Sequence, residues 1–420
     1  MNVVSTRGTE PIALSAAIAK GQAPDGGLYM PQTITKQARP LATSLTDRTT
    51  HALQPFFAGD SMAPHLATIV QESLNFDAPT KWLNRDTALL ELFRGPTAAF
   101  KDFGARFLAS CLSRLFSNDQ HHTVLVATSG DTGAAVAAAF HRLPKFRVVV
   151  LYPDNLVSPR QAHQLGAFGD NVMTYRVAGN FDDCQRLVKA AFADPRLTAR
   201  HGLVSANSIS LGRLLPQMSY YAHSSLTAQE QGRAASNFVI PTGNLGNAVA
   251  CLLARECGLP IGKIMLASNQ NQVVPDFLAT GEYTPRPSVA TIANAMDVGA
   301  PSNLERLRHL FANPASKVRA DWVDDDTIKA TIRSVFDRNG EIVCPHTACG
   351  LAVRERLRNL DNGDEWIVAA TAHAAKFAEV VEPLIGQKIA IPEALQELLD
   401  RPAQASPLTP TLDALTAALD

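Results

Sequence analysis

Aromatic residues make up only 6% of this chain, and neither sign of charge dominates, with 38 Lys and Arg against 39 Asp and Glu. A net charge of −1 offers nothing to hold a nucleic acid or an anionic membrane surface, so neither is expected as a partner. Long apolar runs are missing too. Stretches such as Val148 to Leu151 fall far short of the roughly 18 residues that a membrane span needs. Cysteines are few: Cys111, Cys184, Cys251, Cys257, Cys344 and Cys349 contain no C-x-x-C pair. That scatter suits reduced, buried thiols better than a disulfide framework. Cys344, His346 and Cys349 lie close enough to suggest zinc, yet no fourth ligand stands nearby, and structural zinc normally takes four. No metal is expected. The opening MNVVSTRGTEPIA puts Arg7 and Glu10 where a signal peptide needs its apolar segment, so the expected location is cytoplasmic.

What is present is a globular composition, 46% hydrophobic and 18% charged over 420 residues, enough for about two to three domains. Three segments read as strand, loop and helix. Thr123 to Thr128 leads through Ser129-Gly-Asp-Thr-Gly133 into an alanine-rich helix, Ala134 to Phe140. Asn237 to Pro241 leads through Thr242-Gly-Asn-Leu-Gly-Asn247 into Ala248 to Cys257, and Trp366 to Ala370 leads through Thr371-Ala-His373 into a further helix. Arg147 to Leu151, Met173 to Val177 and Leu203 to Ser205 read as more strands. Helical patterns lie between them at Pro159 to Leu165, Asp182 to Phe192 and Gly212 to His223. Alternation of this kind predicts an α/β fold with mostly parallel sheets, covered on both faces because the strands are nearly all apolar. Residues 1–85 read as a mostly helical module, 86–388 as the α/β region in two subdomains, and 389–420 as a helical tail. Within that tail, Pro402 to Pro410 has the composition of a linker before a last helix at Thr411 to Leu419. Asp324-Asp-Asp326 reads as a solvated acidic run.

The two glycine-rich loops differ in charge, and that divides their chemistry. Thr242 to Asn247 is neutral, and its glycines let backbone N–H groups converge at a helix N-terminus, which favours an anion. No Walker lysine follows, so it is not a nucleotide loop. Ser129 to Gly133 carries Asp131, which would repel a phosphate but could bind a hydroxyl; Ser129 and Thr132 add hydroxyls of their own. Either loop alone is as well explained by a tight turn. In Gly95-Pro-Thr-Ala-Ala-Phe-Lys-Asp-Phe-Gly104, Lys101 has apolar and aromatic neighbours, and an amine in such surroundings loses basicity and becomes an imine-forming nucleophile. Taken alone it could equally be a lysine beside Asp102 on an ordinary helix face. A phosphate cradle and an imine lysine in one chain are what pyridoxal 5'-phosphate (PLP) requires.

The chain resembles the threonine synthase family, in the form with an N-terminal helical domain, within the fold-type II (tryptophan synthase β-like) PLP enzymes. The likeness runs through Ser5-Thr-Arg-Gly8, Pro24-Asp-Gly-Gly-Leu28, Gly95-Pro-Thr97 with Phe100-Lys-Asp102, Ser129 to Gly133, Leu215-Pro-Gln217, Pro241 to Asn247, Asn294-Ala-Met-Asp-Val298, Pro345-His-Thr-Ala348 and Thr371-Ala-His373. The first two stretches separate this family from other fold-type II enzymes. The resemblance implies a lyase of threonine biosynthesis that turns O-phospho-L-homoserine and water into L-threonine and phosphate. It implies that Lys101 forms the imine with PLP and moves the protons. Gly243, Asn244, Leu245, Gly246 and Asn247 would hold the cofactor phosphate, Thr371 would face the ring nitrogen, and Asp131 would contact the ring hydroxyl at a position often occupied by asparagine. Ser129 and Thr132 would receive the substrate carboxylate, and Asn207, Ser208 and Arg213 the substrate phosphate. A monomer or homodimer is expected. The chain departs from the family between Ile209 and Arg213, where an asparagine and a tryptophan are usual, and at Arg94, Cys349 and Ala374. His346 is read as a packing residue, and His373, beside Thr371, as one standing just behind the active site. The alternatives are another fold-type II lyase, such as a threonine dehydratase or a phospho-amino-acid phospho-lyase, and an inactive regulatory protein on the same fold.

Overall fold

The chain forms fourteen strands among the described residues. In chain order they are Asn2–Ser5 (β1), Ile12–Ala13 (β2), Tyr29–Pro31 (β3), Thr80–Trp82 (β4), Thr87–Glu91 (β5), His122–Ala127 (β6) and Phe146–Pro153 (β7). Then follow Val172–Val177 (β8), Leu203–Ser205 (β9), Ser236–Pro241 (β10), Ile261–Ser268 (β11), Arg319–Trp322 (β12), Trp366–Ala370 (β13) and Ser406–Leu408 (β14). The structure is a computed structural model that describes residues 1–40, 42–116, 120–358 and 363–420.

Two α/β layers carry the chain. A six-stranded sheet has the order β12-β11-β10-β13-β5-β4, parallel except for β4 at its edge; a five-stranded sheet has the order β14-β8-β7-β6-β9 and is parallel throughout. β5, β6 and β13 are buried along their whole length, as interior strands of sheets covered on both faces are. Gly133 shows how tightly the helices sit on the second sheet. A Cβ there would come within 2.5 Å of Thr128 Cγ2 and 2.9 Å of Val150 Cγ1, so only glycine lets the Asp131–Phe140 helix lie this close to its sheet. Among the described residues no helix is long and apolar enough to cross a membrane.

Several expectations need correction. The N-terminal module carries an antiparallel sheet, β2-β1-β3, beside its helices, which the sequence reading did not include; strands of two to four residues leave too little periodicity to read. Gly212 to His223 is not one helix. It breaks into Leu211–Leu214, a 3₁₀ turn at Leu215–Gln217 and a helix from Met218 to Glu230, with Pro216 at the break where a backbone donor is lost. The acidic run is a helix start: Asp324 Oδ1 accepts from Thr327 N at 2.8 Å, and the Asp325 carboxylate accepts from Ile292 N.

The stretch read as a linker is docked. Ser406–Leu408 pairs with β8 as a parallel edge strand, where Pro407 is tolerated because an edge leaves one side of the backbone unpaired. The last helix, Leu412–Leu419, then seals a core shared with Leu125, Val149, Val177 and Leu187. Leu415 is fully buried there. Leu415→Ala should weaken this docking by about 2–5 kcal/mol, read as faster subtilisin cleavage within residues 402–410. An unchanged cleavage rate would mean that something else holds the tail.

Candidate functional site

In parallel sheets the loops at the strands' carboxyl ends gather on one side. β10, β13 and β5 are neighbours, so the loops that follow them start within roughly 10 Å of one another. These loops are Thr242 to Asn247, Thr371 to His373 and Leu92 to Phe100, the last running into the helix Lys101–Leu115. The second and third are stitched together: Phe100 N donates to Thr371 O at 2.8 Å and His373 N to Ala98 O at 3.0 Å. Ala98 takes φ +54°, an unfavourable value for alanine that these bonds hold in place. Asp102 fixes the turn from inside by accepting from Thr97 Oγ1 at 2.7 Å and Thr97 N at 2.9 Å. Burial pushes its carboxyl up to about 6. Asp102 therefore serves the loop, and it makes no ion pair with Lys101.

Lys101 opens its helix and reaches across to the other sheet, where its Nζ donates to Thr132 Oγ1 at 2.8 Å. Thr132 belongs to the Ser129–Gly133 turn after β6. Burial, with Arg213 and Lys376 adding repulsion and Asp131 opposing, pushes the Lys101 amine down to about 8 from 10.5. At pH 7 about a tenth of it would be neutral, against about one part in three thousand for an ordinary lysine. Gly130 in the same turn has φ +137°, and a Cβ there would lie 2.5 Å from Gln161 Nε2. The glycine leaves room for Gln161 to reach Asp131.

The neutral loop has free donors. None of the backbone N–H groups of Gly243, Asn244, Leu245 and Gly246 finds an acceptor among the described residues, and the helix Gly246–Glu256 begins directly behind them. Leu245 has φ +63°, a left-handed residue of the kind found where successive N–H groups form an anion-binding concavity. The side chains behave differently. Asn244 Nδ2 donates to Ser208 Oγ at 2.7 Å, and its Oδ1 accepts from Ser302 N, so this side chain braces the loop. Asn247 Oδ1 accepts from the hydroxyls of Tyr220 and Tyr221, while its buried Nδ2 has no partner among the described residues.

The remaining sequence candidates gather at the same place. Thr371 is buried, and Ser129 is half-buried. Asn207 and Ser208 follow β9, the neighbour of β6, and Asn207 Oδ1 is buried without a partner among the described residues. Arg213 is buried, donates to Ala206 O, and keeps an unpartnered Nε; loss of solvent pushes its guanidinium down to about 10. Its charge has no carboxylate hydrogen-bonded to it. Of the residues suggested for zinc, Cys349 Sγ donates to Ser268 O at 3.3 Å and Cys344 Sγ lies 3.2 Å from Thr347 Oγ1.

Sequence reasoning missed a buried polar cluster around Asp131. Its Oδ1 accepts from Lys376 Nζ at 2.8 Å and Gln161 Nε2 at 2.9 Å, and Gln161 Oε1 accepts from Asn294 Nδ2 at 3.1 Å. Only the Asn294-Ala-Met-Asp-Val298 motif signalled any of this. His346 Nε2 accepts from Ala295 N at 3.1 Å, so its imidazole is neutral. Such a cleft can hold a phosphate-bearing aldehyde between the free N–H groups and the Lys101 amine.

The comparisons agree on one family. A model described as pyridoxal-phosphate dependent enzyme matches residues 83–371, threonine synthase N terminus matches 2–74, and threonine synthase, C-terminal, matches 347–418. Threonine synthase of Buchnera aphidicola subsp. Acyrthosiphon pisum is 37% identical, with 97% of this chain and 96% of that protein covered. The Escherichia coli K12 enzyme is also 37% identical, covered at 94% and 93%. The crystal structure of threonine synthase from Escherichia coli superposes with a TM-score of 0.93 at 35% identity, covering 100% of this chain and 99% of that one. PLP-bound threonine synthase from Brucella melitensis gives 0.91 at 31%, covering 100% and 98%.

Burial, the main cause, together with nearby Lys101 and Lys376, lowers the His346 imidazole to about 4. The unfolded chain takes up this proton near pH 6.5, while the folded chain resists it until about 4. Stability is therefore full above pH 6.5 and declines as pH falls through that window. His346→Gln should make the acid-side decline shallower by on the order of 2 kcal/mol at pH 4, measured by urea titration at several pH values. His223 and His373, also lowered to about 4, keep their own share. An unaltered pH slope would rule out a buried neutral His346.

Proposed function

The chain belongs to the threonine synthase family, and from that membership we propose how its own residues divide the work of the reaction. It converts O-phospho-L-homoserine and water to L-threonine and phosphate as a PLP-dependent lyase. The cofactor, when bound, supplies an aldehyde carbon and a ring that accepts an electron pair. The residues present fit it on two counts. Four unpaired N–H groups at a helix N-terminus suit its phosphate, and an amine already lowered to about 8 suits its aldehyde.

The observation that carries the reading is Lys101 Nζ at 2.8 Å from Thr132 Oγ1, in the cleft where loops from both parallel sheets meet. Lys101 holds the cofactor until the substrate amine displaces it, and its freed amine then takes the proton from the substrate Cα. The same amine next moves a proton from Cβ, which lets the Cγ–O bond break and the phosphate leave with the bonding pair. Protons return at Cγ and Cα, and water adds its oxygen at Cβ. Gly243, Asn244, Leu245 and Gly246 bind the cofactor phosphate through backbone N–H groups. Asn247 would take part through its unpartnered Nδ2, Thr371 would offer a hydroxyl to the ring nitrogen, and Asp131 would serve the ring hydroxyl. Ser129 and Thr132 receive the substrate carboxylate. Asn207, Ser208 and Arg213 bind the substrate phosphate. A dehydratase acting on a non-phosphorylated amino acid would not need Arg213, a buried cation without a carboxylate partner. The six cysteines are buried and free, which suits a cytoplasmic enzyme; we take it to act as a monomer or homodimer.

Lys101→Ala should abolish turnover and the borohydride-fixed adduct between chain and cofactor. An adduct that persists in this variant would move the anchor to another lysine. Arg213→Ala should raise KM for O-phospho-L-homoserine and lower kcat/KM by about ten- to a hundredfold, with cofactor absorbance intact. Part of the loss should appear in kcat, because the leaving oxygen gains charge as its bond breaks. Unaltered kinetics would mean that other residues hold the phosphate.

A further inference from the structure

Two lysines share one carboxylate in this cleft, and the carboxylate has chosen the one that the chemistry does not use. Lys376 lies in the 3₁₀ turn Ala374–Phe377 after β13, and its side chain is 1% exposed. Its Nζ is 2.8 Å from Asp131 Oδ1 and donates to Thr97 O at 2.8 Å. Its own carbonyl accepts from Ser158 Oγ at 2.8 Å, so backbone and amine are both fixed. Gln161 Nε2 takes a second place on Asp131 Oδ1 and is held in turn by Asn294. Lys101, by contrast, has only the neutral hydroxyl of Thr132, which stands next in the chain to Asp131.

We propose that Lys376 is a positioning residue for Lys101: as the fixed counter-ion of Asp131, it stops that carboxylate from becoming the partner of Lys101 and so leaves Lys101 a free amine. The proposal rests on the reading of Lys101 as the amine that adds to an aldehyde. A buried carboxylate beside two amines will hold a proton on whichever amine it pairs with, because a charge out of water keeps its counter-charge. Were Lys376 absent, the pull of Asp131 on Lys101 would lose the cation that now offsets it, and a Lys101 ammonium has no lone pair to offer. The other charged and titratable groups facing this cluster do not replace Lys376. Arg213, from Leu211–Leu214, repels the Lys101 ammonium. His346, from Pro345–Arg358, has its Nε2 lone pair taken by Ala295 N. Asp102, on the helix of Lys101, is bonded to Thr97.

The test reads Lys101 itself, without turnover. The full-length chain, freed of cofactor, is treated with formaldehyde and cyanoborohydride across pH 6–10, and methylation of the Lys101 peptide is followed by mass. Lys376→Gln should raise the midpoint of Lys101 methylation by one pH unit or more, which is about a tenfold slower reaction at neutral pH. Lys376→Gln combined with Asp131→Asn should bring the midpoint back to that of the unaltered chain, since neither charge remains. A midpoint that stays put in Lys376→Gln, or a double variant as shifted as the single one, would overturn the proposal. Should Lys376→Gln fail to fold with its carboxylate orphaned, two variants without that carboxylate decide it. Asp131→Asn, which keeps the Lys376 cation, should show a lower midpoint than the double variant, and equal midpoints would overturn the proposal. If Lys101 in the unaltered chain is not methylated at any pH, the reading of Lys101 fails first and the proposal falls with it.

Discussion

An amine must be uncharged to add to a carbonyl, and the cleft depends on keeping one lysine in that state among several charges. Burial does most of this by removing the water that would stabilise an ammonium. Burial alone is indiscriminate, however, since Lys376, Arg213 and Asp131 are more deeply buried than Lys101 itself, which is half-buried. What separates Lys101 from Lys376 is the partner each has: a hydroxyl for one, a carboxylate and a carbonyl for the other. The two sheets make this possible by delivering Lys101 and Lys376 from one layer and Asp131 and Thr132 from the other.

The anion cradle rests on a different support, and it reaches into the N-terminal module. Asn303 Nδ2 donates to Asn244 O at 2.9 Å. Asn303 Oδ1 accepts from Arg306 Nη1 at 2.7 Å. Arg306 is fully buried and also donates to Tyr29 O at 3.1 Å and to Ile209 O at 2.6 Å. One guanidinium thus ties β3, the Ser208–Ile209 turn and the cradle into a single unit. Its neighbour Glu305 bonds Arg7 and Thr6, closing the module against the same helix. A loop whose backbone must present several N–H groups at fixed spacing needs such a brace, because small shifts in φ and ψ would turn the donors apart.

The parts of the site that the sequence displays are those made by neighbours in the chain. Lys101 stands out because Gly95 to Gly104 is a continuous segment, and the cradle because Gly243 to Asn247 joins a strand to a helix directly. Lys376 and Gln161 are invisible in that way, since each acts through a contact that only the packing creates; Asn294 stands in a recognisable motif, but its bond to Gln161 is equally hidden. The same limit explains β14. Ser406-Pro-Leu408 carries no strand signal of its own and pairs only because β8 offers a free edge and Leu415 anchors the helix behind it. Pro216, by contrast, was visible as a residue, but a helical pattern on both sides of it concealed the break.

Asp131 shows why a local motif can name a residue and still miss its state. A neutral amide at this position could contact a ring hydroxyl with no counter-charge at all. A carboxylate in the same buried place must find a cation or take up a proton, and burial does push toward the proton. Lys376 and Gln161, bonded to the same oxygen, push the other way and hold the carboxyl below its ordinary range. Such a pair seldom adds net stability over an apolar one, because desolvating two charges costs about as much as their attraction returns. Its effect lies in the field it leaves behind. Asp131 and Lys376 nearly cancel at a distance, so Lys101 faces a dipole rather than a lone anion, and its amine keeps the low basicity that burial gives it.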